Sequence, residues 1–222
     1  METGVTISKQ KRASITAIIE SFIIRVHGLI NLSVDEVVVN PFLAAALGLK
    51  KKSEILEFFL MQRLQRGIVT SFGSVVQEIA KTLDSEAHEE DIDLVFERNG
   101  KKHYVQLKSG PEGFTRPALR KTRNAFERLK AKDSSCVTVI GFSYGIKDQL
   151  SPVWGREVYE SADMVLIGKE FWDFFAGAGF YNELIRVFQS LKPKVGKGQK
   201  RLRRMKFKQI YKLVYQRLLM VF

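Results

Sequence analysis

Asp91-Ile-Asp93-Leu-Val-Phe-Glu-Arg-Asn99-Gly100-Lys-Lys-His-Tyr-Val-Gln106-Leu-Lys108 is the stretch that decides the fold. Two β-prone runs flank Asn99-Gly100, the strongest short-range signal for a two-residue hairpin loop. With those two residues as the loop, Arg98 stands opposite Lys101, Asp93 opposite Gln106 and Asp91 opposite Lys108. Side chains alternate along a strand. Asp91, Asp93, Gln106 and Lys108 are therefore expected on one face, and Ile92, Leu94, Val105 and Leu107 on the other, toward a core. His103 falls on the core face opposite Phe96 and reads as a structural histidine rather than a base. A carboxylate, an amide oxygen and an ammonium on one face suit a hard cation and a phosphate, since Mg²⁺ takes one or two carboxylates plus substrate phosphate oxygens. Read without that chemistry, the same charges are ordinary cross-strand pairs such as Asp91–Lys108.

Working outward, the first third of the chain carries helical signals and no strand signals. Ile15, Ile18, Ile19, Phe22, Ile23, Val26 and Ile30 recur at threes and fours, the spacing of one helical face, over residues 8–30. Asn40-Pro41 marks a helix start, and Phe42 to Leu49 reads as a short helix ending near Gly48. Ser53 opens another, with Ile55, Leu56, Phe59, Leu60 and Leu64 facing inward and Gly67 closing it. Ser74 is expected to N-cap a further helix carrying Glu78. After the hairpin, Pro117 to Lys130 reads as a basic helix, Val137 to Phe142 and Asp163 to Gly168 as strands, and Phe171 to Gln189 as helix broken around Gly177 and Gly179. Such alternation suits a mixed α/β sheet. The acidic run Asp84 to Asp91 reads as a solvated connector and residues 192–198 as a linker. Lys200 to Phe222 reads as a basic amphipathic helix, with Leu202, Met205, Ile210, Leu213, Val214, Leu218 and Val221 as its stripe. Three regions are expected: a helical region 1–70 for packing or dimerisation, a core 71–191, and a basic C-terminal helix 192–222.

The net charge of +12 is unevenly distributed. From Leu184 onward there are twelve Lys or Arg and no Asp or Glu, so residues 1–183 are neutral overall. A basic segment of this kind suits a polyanion, because neutralised phosphates release counterions. The single cysteine, Cys136, lies in an apolar run and excludes both an intramolecular disulfide and a cysteine-rich zinc module. Glu20, Arg25 and His27 interrupt the most apolar stretch, Ile15 to Ile30, so no membrane span is expected.

The Asp93…Gln106-Leu107-Lys108 constellation resembles the PD-(D/E)XK nuclease superfamily, whose pattern sets an Asp on one strand and an acidic residue, one spacer and Lys on the next. Here Gln106 stands in the acidic position and Ile92 precedes Asp93. An amide oxygen ligates a metal without adding charge, so looser metal binding is expected. The segment from Thr70 to Ala80, residues 106–116 (QLKSGPEGFTR) and 168–177 (GKEFWDFFAG) resemble one branch of the type II restriction endonucleases.

The resemblance implies an α/β fold, a mixed β-sheet core of the restriction-endonuclease-like type flanked by helices, with a helical N-terminal region. It implies Mg²⁺, as one ion or two, held by Asp93, Gln106 and Glu78, with Lys108 as the fourth catalytic residue. By position in the chain, directly after the Lys108 strand, Arg116, Arg120, Lys121 and Arg123 of the basic helix are candidates for phosphate contacts, and the loops near 110–124 and 143–157 are candidates for base contacts. The resemblance further implies double-stranded DNA as substrate, a homodimer, a cognate DNA methyltransferase and a prokaryotic cytoplasmic setting. Two other readings stand beside it: a structure-specific repair or recombination nuclease of the same superfamily, and a non-catalytic DNA-binding protein with a degenerate core.

Overall fold

The computed structural model describes residues 7–84, 90–150, 155–191, 194–195, 200–201 and 205–222. Parts of the acidic connector, the 143–157 loop and the 192–198 linker, together with Leu202, lie outside the described residues. Tertiary contacts divide the chain into two compact units, Met1–Thr16 with Gly73–Ser190, and Ala17–Phe72 with Leu191–Phe222.

The second unit is mainly helical among its described residues, with one short strand pair. It takes the C-terminal part of α1 (Lys9–Gly28), α2 (Pro41–Ala46), the first part of α3 (Lys52–Asp84) and α8 (Phe207–Leu219). Asn40 caps α2 by accepting the Leu43 amide at 3.0 Å, with Pro41 in the first turn. Leu32, Val37, Ala44, Leu56, Phe59, Leu60 and Leu64 form its core with Ile210, Val214 and Leu218 of α8. The C-terminal apolar stripe thus packs on the N-terminal helical region of the same chain. That helix begins at Phe207 rather than Lys200, and Leu213 and Val221 are exposed instead of belonging to its buried stripe. Lys200–Arg201 pair as a short strand (β6) with Lys194–Val195 (β5).

The helix α3 overturns the expected break at Gly67 and cap at Ser74: it runs unbroken from Lys52 to Asp84. Each helical glycine costs about 1 kcal/mol relative to alanine. Apolar side chains are buried on both sides of the two glycines, Leu56, Phe59, Leu60 and Leu64 before them and Val75, Val76, Ile79 and Leu83 after them. Each such side chain contributes about 1.5–3 kcal/mol on burial, so together they outweigh the glycines. One helical stretch among the described residues, Lys9–Asn31, is long and apolar enough to cross a membrane by length and composition. In this fold 22% of its most apolar window is buried, including Ile15, Ile19 and Ile23.

The first unit holds a four-stranded mixed sheet of order β1-β2-β3-β4: Leu94–Arg98, Lys101–Lys108, Val137–Phe142 and Met164–Ile167. β1 and β2 are antiparallel; β2, β3 and β4 are parallel. One face packs Val95, Tyr104, Ile140 and Phe142 against Leu119, Ala125, Phe126 and Leu129 of α4 (Arg116–Lys132). The opposite face meets α6 (Lys169–Ala176), where the Phe171 ring lies so close over β3 that a Cβ at Gly141 would stand 2.5 Å from it. His103 is buried there, its ring stacked 4.9 Å from Phe96, and burial holds its pKa down. α7 (Phe180–Ser190) follows α6 after Gly177 and Gly179, and α5 (Gly155–Tyr159) precedes β4. The fold is the mixed α/β, helix-flanked sheet expected from the sequence.

The unbroken α3 generates a test. A Cβ at Gly73 would find only Ser109 Oγ, at 4.0 Å. Gly73→Ala is expected to raise stability by about 0.5–1 kcal/mol, read as a higher Tm. A lowered Tm would mean a turn at this position.

Candidate active site

Asn99 (φ 52°) and Gly100 (φ 70°) both adopt the left-handed conformation of a tight hairpin turn, which glycine and asparagine tolerate best. The turn fixes the register as read, from Arg98 opposite Lys101 to Leu94 opposite Val105. At Asp93 the ladder steps by one residue, for its amide donates to Val105, the partner of Leu94, at 3.0 Å. Two positions earlier Asp91 has φ 68° and ends the strict alternation. Two expectations fail for this reason. Ile92 joins the cluster of Val95, Tyr104 and Phe126 on the α4 face instead of the face of Leu94. Asp91 does not pair across to Lys108; it turns to α4, with Lys121 Nζ at 2.6 Å and Arg128 Nη2 at 3.4 Å. The Lys121 hydrogen bond and the two cations hold the Asp91 carboxyl below its usual range.

Asp93 and Gln106 do meet. Gln106 Nε2 donates to Asp93 Oδ2, and the Leu107 amide donates to the same oxygen at 2.8 Å. Gln77 Nε2, from α3, donates to Asp93 Oδ1 at 3.2 Å. Burial raises the Asp93 pKa above the usual carboxylate value, opposed in order by the Leu107 amide, Lys108, Lys81 and Gln77. A carboxylate has about four lone-pair sites. Three are taken by donors here, and the opening that remains is on Oδ1.

Lys108 ends β2. Its carbonyl accepts the Ser143 amide at 2.9 Å, tying it to the end of β3, and its Nζ stands 5.1 Å from the centre of the Phe114 ring. A cleft of about 280 Å³ is lined by Asp91, Asp93, Gln106 and Lys108 from the hairpin, and by Lys121 and Thr122 from α4. The remaining residues singled out from sequence lie elsewhere. Glu78 is exposed on α3, and Gln77, the residue before it, reaches Asp93. Helical spacing carries the signal for this: Gln77 shares a face with buried Ala80, Glu78 with exposed Ser74 and Lys81. The basic residues of α4 divide between two faces. Lys121 faces the cleft, whereas Arg116, Arg120 and Arg123 line a separate hollow of about 310 Å³ with Glu157, and Arg123 Nε donates to Ser161 Oγ at 3.3 Å.

The donor set bears on a metal ion. Among the described residues no three His, Cys, Asp or Glu side chains gather as ligands. Mg²⁺ does not need three, since one or two carboxylates suffice when substrate phosphate and waters complete the shell. Asp93 Oδ1 with the Gln106 side-chain oxygen, facing a lysine, fits such a substrate-completed site.

A four-stranded mixed sheet flanked by helices, with a helical N-terminal region, fits a restriction-endonuclease-like fold. The family model described as type II restriction endonuclease EcoO109I matches residues 10–195, most of the chain. The chain belongs to this family of DNA-cleaving hydrolases. No curated protein matches it.

Gln106 supplies a test of the metal reading. In Gln106→Glu a carboxylate oxygen would replace a donor against Asp93 Oδ2, setting two anions side by side. A Tm lower than the parent's in EDTA is expected, restored by millimolar Mg²⁺, with tighter metal dependence of cleavage. Equal melting with and without Mg²⁺ would remove Gln106 from the metal site.

Proposed function

We propose that this chain is a Mg²⁺-dependent type II site-specific deoxyribonuclease, hydrolysing phosphodiester bonds of double-stranded DNA. The observation that carries this is Asp93, Gln106 and Lys108 lining one cleft in a chain of a type II restriction endonuclease family. Asp93 and Gln106 would hold the metal, which supplies polarisation of the phosphoryl oxygen and a lowered pKa for water. Lys108 orients the attacking water and, as a fixed cation, offsets charge that develops on the phosphoryl oxygens in the transition state. The half-buried setting strengthens that interaction by excluding competing water. Lys121, held by Asp91 until substrate arrives, exchanges its carboxylate for a backbone phosphate.

The protein acts as a homodimer on this reading, because a two-fold protein matches the two-fold symmetry of a palindrome and cuts both strands. A cognate DNA methyltransferase protects the host sequence, and the setting is the prokaryotic cytoplasm. Incubation with plasmid and Mg²⁺, followed by sequencing of the ends, tests the whole reading: cuts at one fixed sequence in unmethylated duplex are expected. Asp93→Ala is expected to abolish cutting. Lys108→Ala is expected to lower it about 10²–10³-fold or more while retaining DNA binding. Wild-type cutting by either variant would take the chemistry away from this hairpin. The single carboxylate with three of its sites occupied favours one second reading, a DNA-binding protein that does not cut; such a protein would bind DNA equally with and without Mg²⁺.

The basic C-terminal segment gives affinity without sequence information, as phosphate contacts do. Lys208 and Lys212 are exposed on α8, whose apolar side is committed to the core of its own unit. Lys208→Gln with Lys212→Gln is expected to weaken binding across all sequences. The log–log salt slope should flatten by roughly 0.9 for each phosphate no longer neutralised, with the cleavage position unchanged. Binding assays over a salt series check it, and an unchanged slope would release α8 from DNA.

A further inference from the structure

We infer that Gln77 is the residue by which α3 enters the nuclease site, as a positioning residue for Asp93. The inference rests on the reading of Asp93 as the metal-holding carboxylate. Gln77 Nε2 lies 3.2 Å from Asp93 Oδ1 and 3.4 Å from the main-chain oxygen of Leu107. A primary amide has two N–H donors on that nitrogen, and each has an acceptor here. Turning the amide over would set its oxygen against a carboxylate oxygen and a carbonyl oxygen, neither of which can donate. The hydrogen-bond partners therefore fix the orientation of this amide, so Gln77 presents donors to Asp93 and no ligand atom.

One side chain thus ties three pieces together: α3, the lead-in to β1, and β2 between Gln106 and Lys108. Asp93 precedes the first residue of β1 and sits where the ladder steps by one residue. Main-chain pairing defines its side chain less firmly there than within the strand. Gln106 and the Leu107 amide both engage Oδ2. Among the described residues Gln77 alone engages Oδ1, the oxygen with the remaining opening, and so sets the rotation of the carboxylate that aims that opening. Glu78, one residue further along the helix, is exposed.

The distinguishing property of such a residue is that it acts through metal affinity. With Gln77 removed, Asp93 must be ordered by the metal itself, so more metal is needed, while the saturated enzyme regains its rate. Gln77→Met keeps the length and apolar shape of the side chain and deletes the donors; Gln77→Ala is the second variant. Mn²⁺ alone, titrated against the free protein by electron paramagnetic resonance, gives affinity without turnover. Mg²⁺ titration of plasmid cutting gives the half-saturating concentration and the plateau. For both variants the expected result is about a tenfold weaker Mn²⁺ affinity and a tenfold higher half-saturating Mg²⁺, the worth of a hydrogen bond to a charged group. The plateau rate should fall within about threefold of the parent, and Glu78→Gln should leave both titrations at parent values.

A lower Tm with unchanged titrations in both Gln77 variants would make the residue merely structural and overturn the inference. A shift in Glu78→Gln but not in Gln77→Met would transfer the role to Glu78. Asp93→Asn separates the inference from its foundation. If that variant loses Mn²⁺ binding and cutting while the Gln77 variants behave as the parent, only the Gln77 role falls. If Asp93→Asn binds Mn²⁺ and cuts as the parent does, the reading of Asp93 falls and takes the inference with it.

Discussion

The carboxylate of Asp93 is the constraint on which the rest of the site depends. It is a partly desolvated anion held by the amides of Gln77, Gln106 and Leu107, with the charges of Lys108 and Lys81 opposing the effect of burial. Burying a charge without a counter-charge is unfavourable, and neutral hydrogen bonds offset only part of that cost. The raised pKa is the same fact in another form. On the function proposed above, a divalent ion with its attendant phosphate would complete such a group. Strained or under-compensated residues gather at functional sites for this reason.

Around that carboxylate the parallel strands set the geometry. β2 is an inner strand, paired on both edges, so the chain from Gln106 to Lys108 has little freedom. Lys108 stands at its carboxyl end, and the ends of β2 and β3 are joined through the Ser143 amide. Open parallel sheets leave their ligand-binding crevices at the carboxyl ends of strands, where chain exits diverge. The turn that follows is compact: a Cβ at Gly113 would stand 3.0 Å from the Lys108 Cβ and 2.8 Å from the Gly110 oxygen.

Much of this was legible in the residues. Asn99-Gly100 specified the hairpin and its register because only such a pair fits a two-residue turn with both φ positive. Period-two alternation then placed Asp93 with Gln106, and apolar runs gave β3 and β4. The departures have local causes. Asp91 lies beyond the ladder, where a left-handed backbone ends alternation, so its partner on α4 was not readable from strand parity. Gly67 reads as a helix end and Ser74 as a cap, yet apolar side chains buried on both sides of them carry one helix of 33 residues through. Glu78 is the helical residue that the resemblance implies, whereas the neutral Gln77 beside it reaches Asp93. The split of the α4 arginines from Lys121 depends on helical phase relative to neighbours that a linear sequence does not reveal.

The helical unit is discontinuous in sequence, and this bears on how the protein reaches its native state. Contacts such as Arg217 Nη2 to the Leu32 oxygen span 185 positions, and the Met205 amide to His27 Nε2 spans 178. The intervening chain includes the whole sheet. Closing a loop costs entropy that grows with its length, and non-local contacts slow folding. Prior condensation of the sheet shortens the effective loop, so the order expected is sheet first and helical unit second. The kinetic signature is two phases, with α8 docking in the slower one.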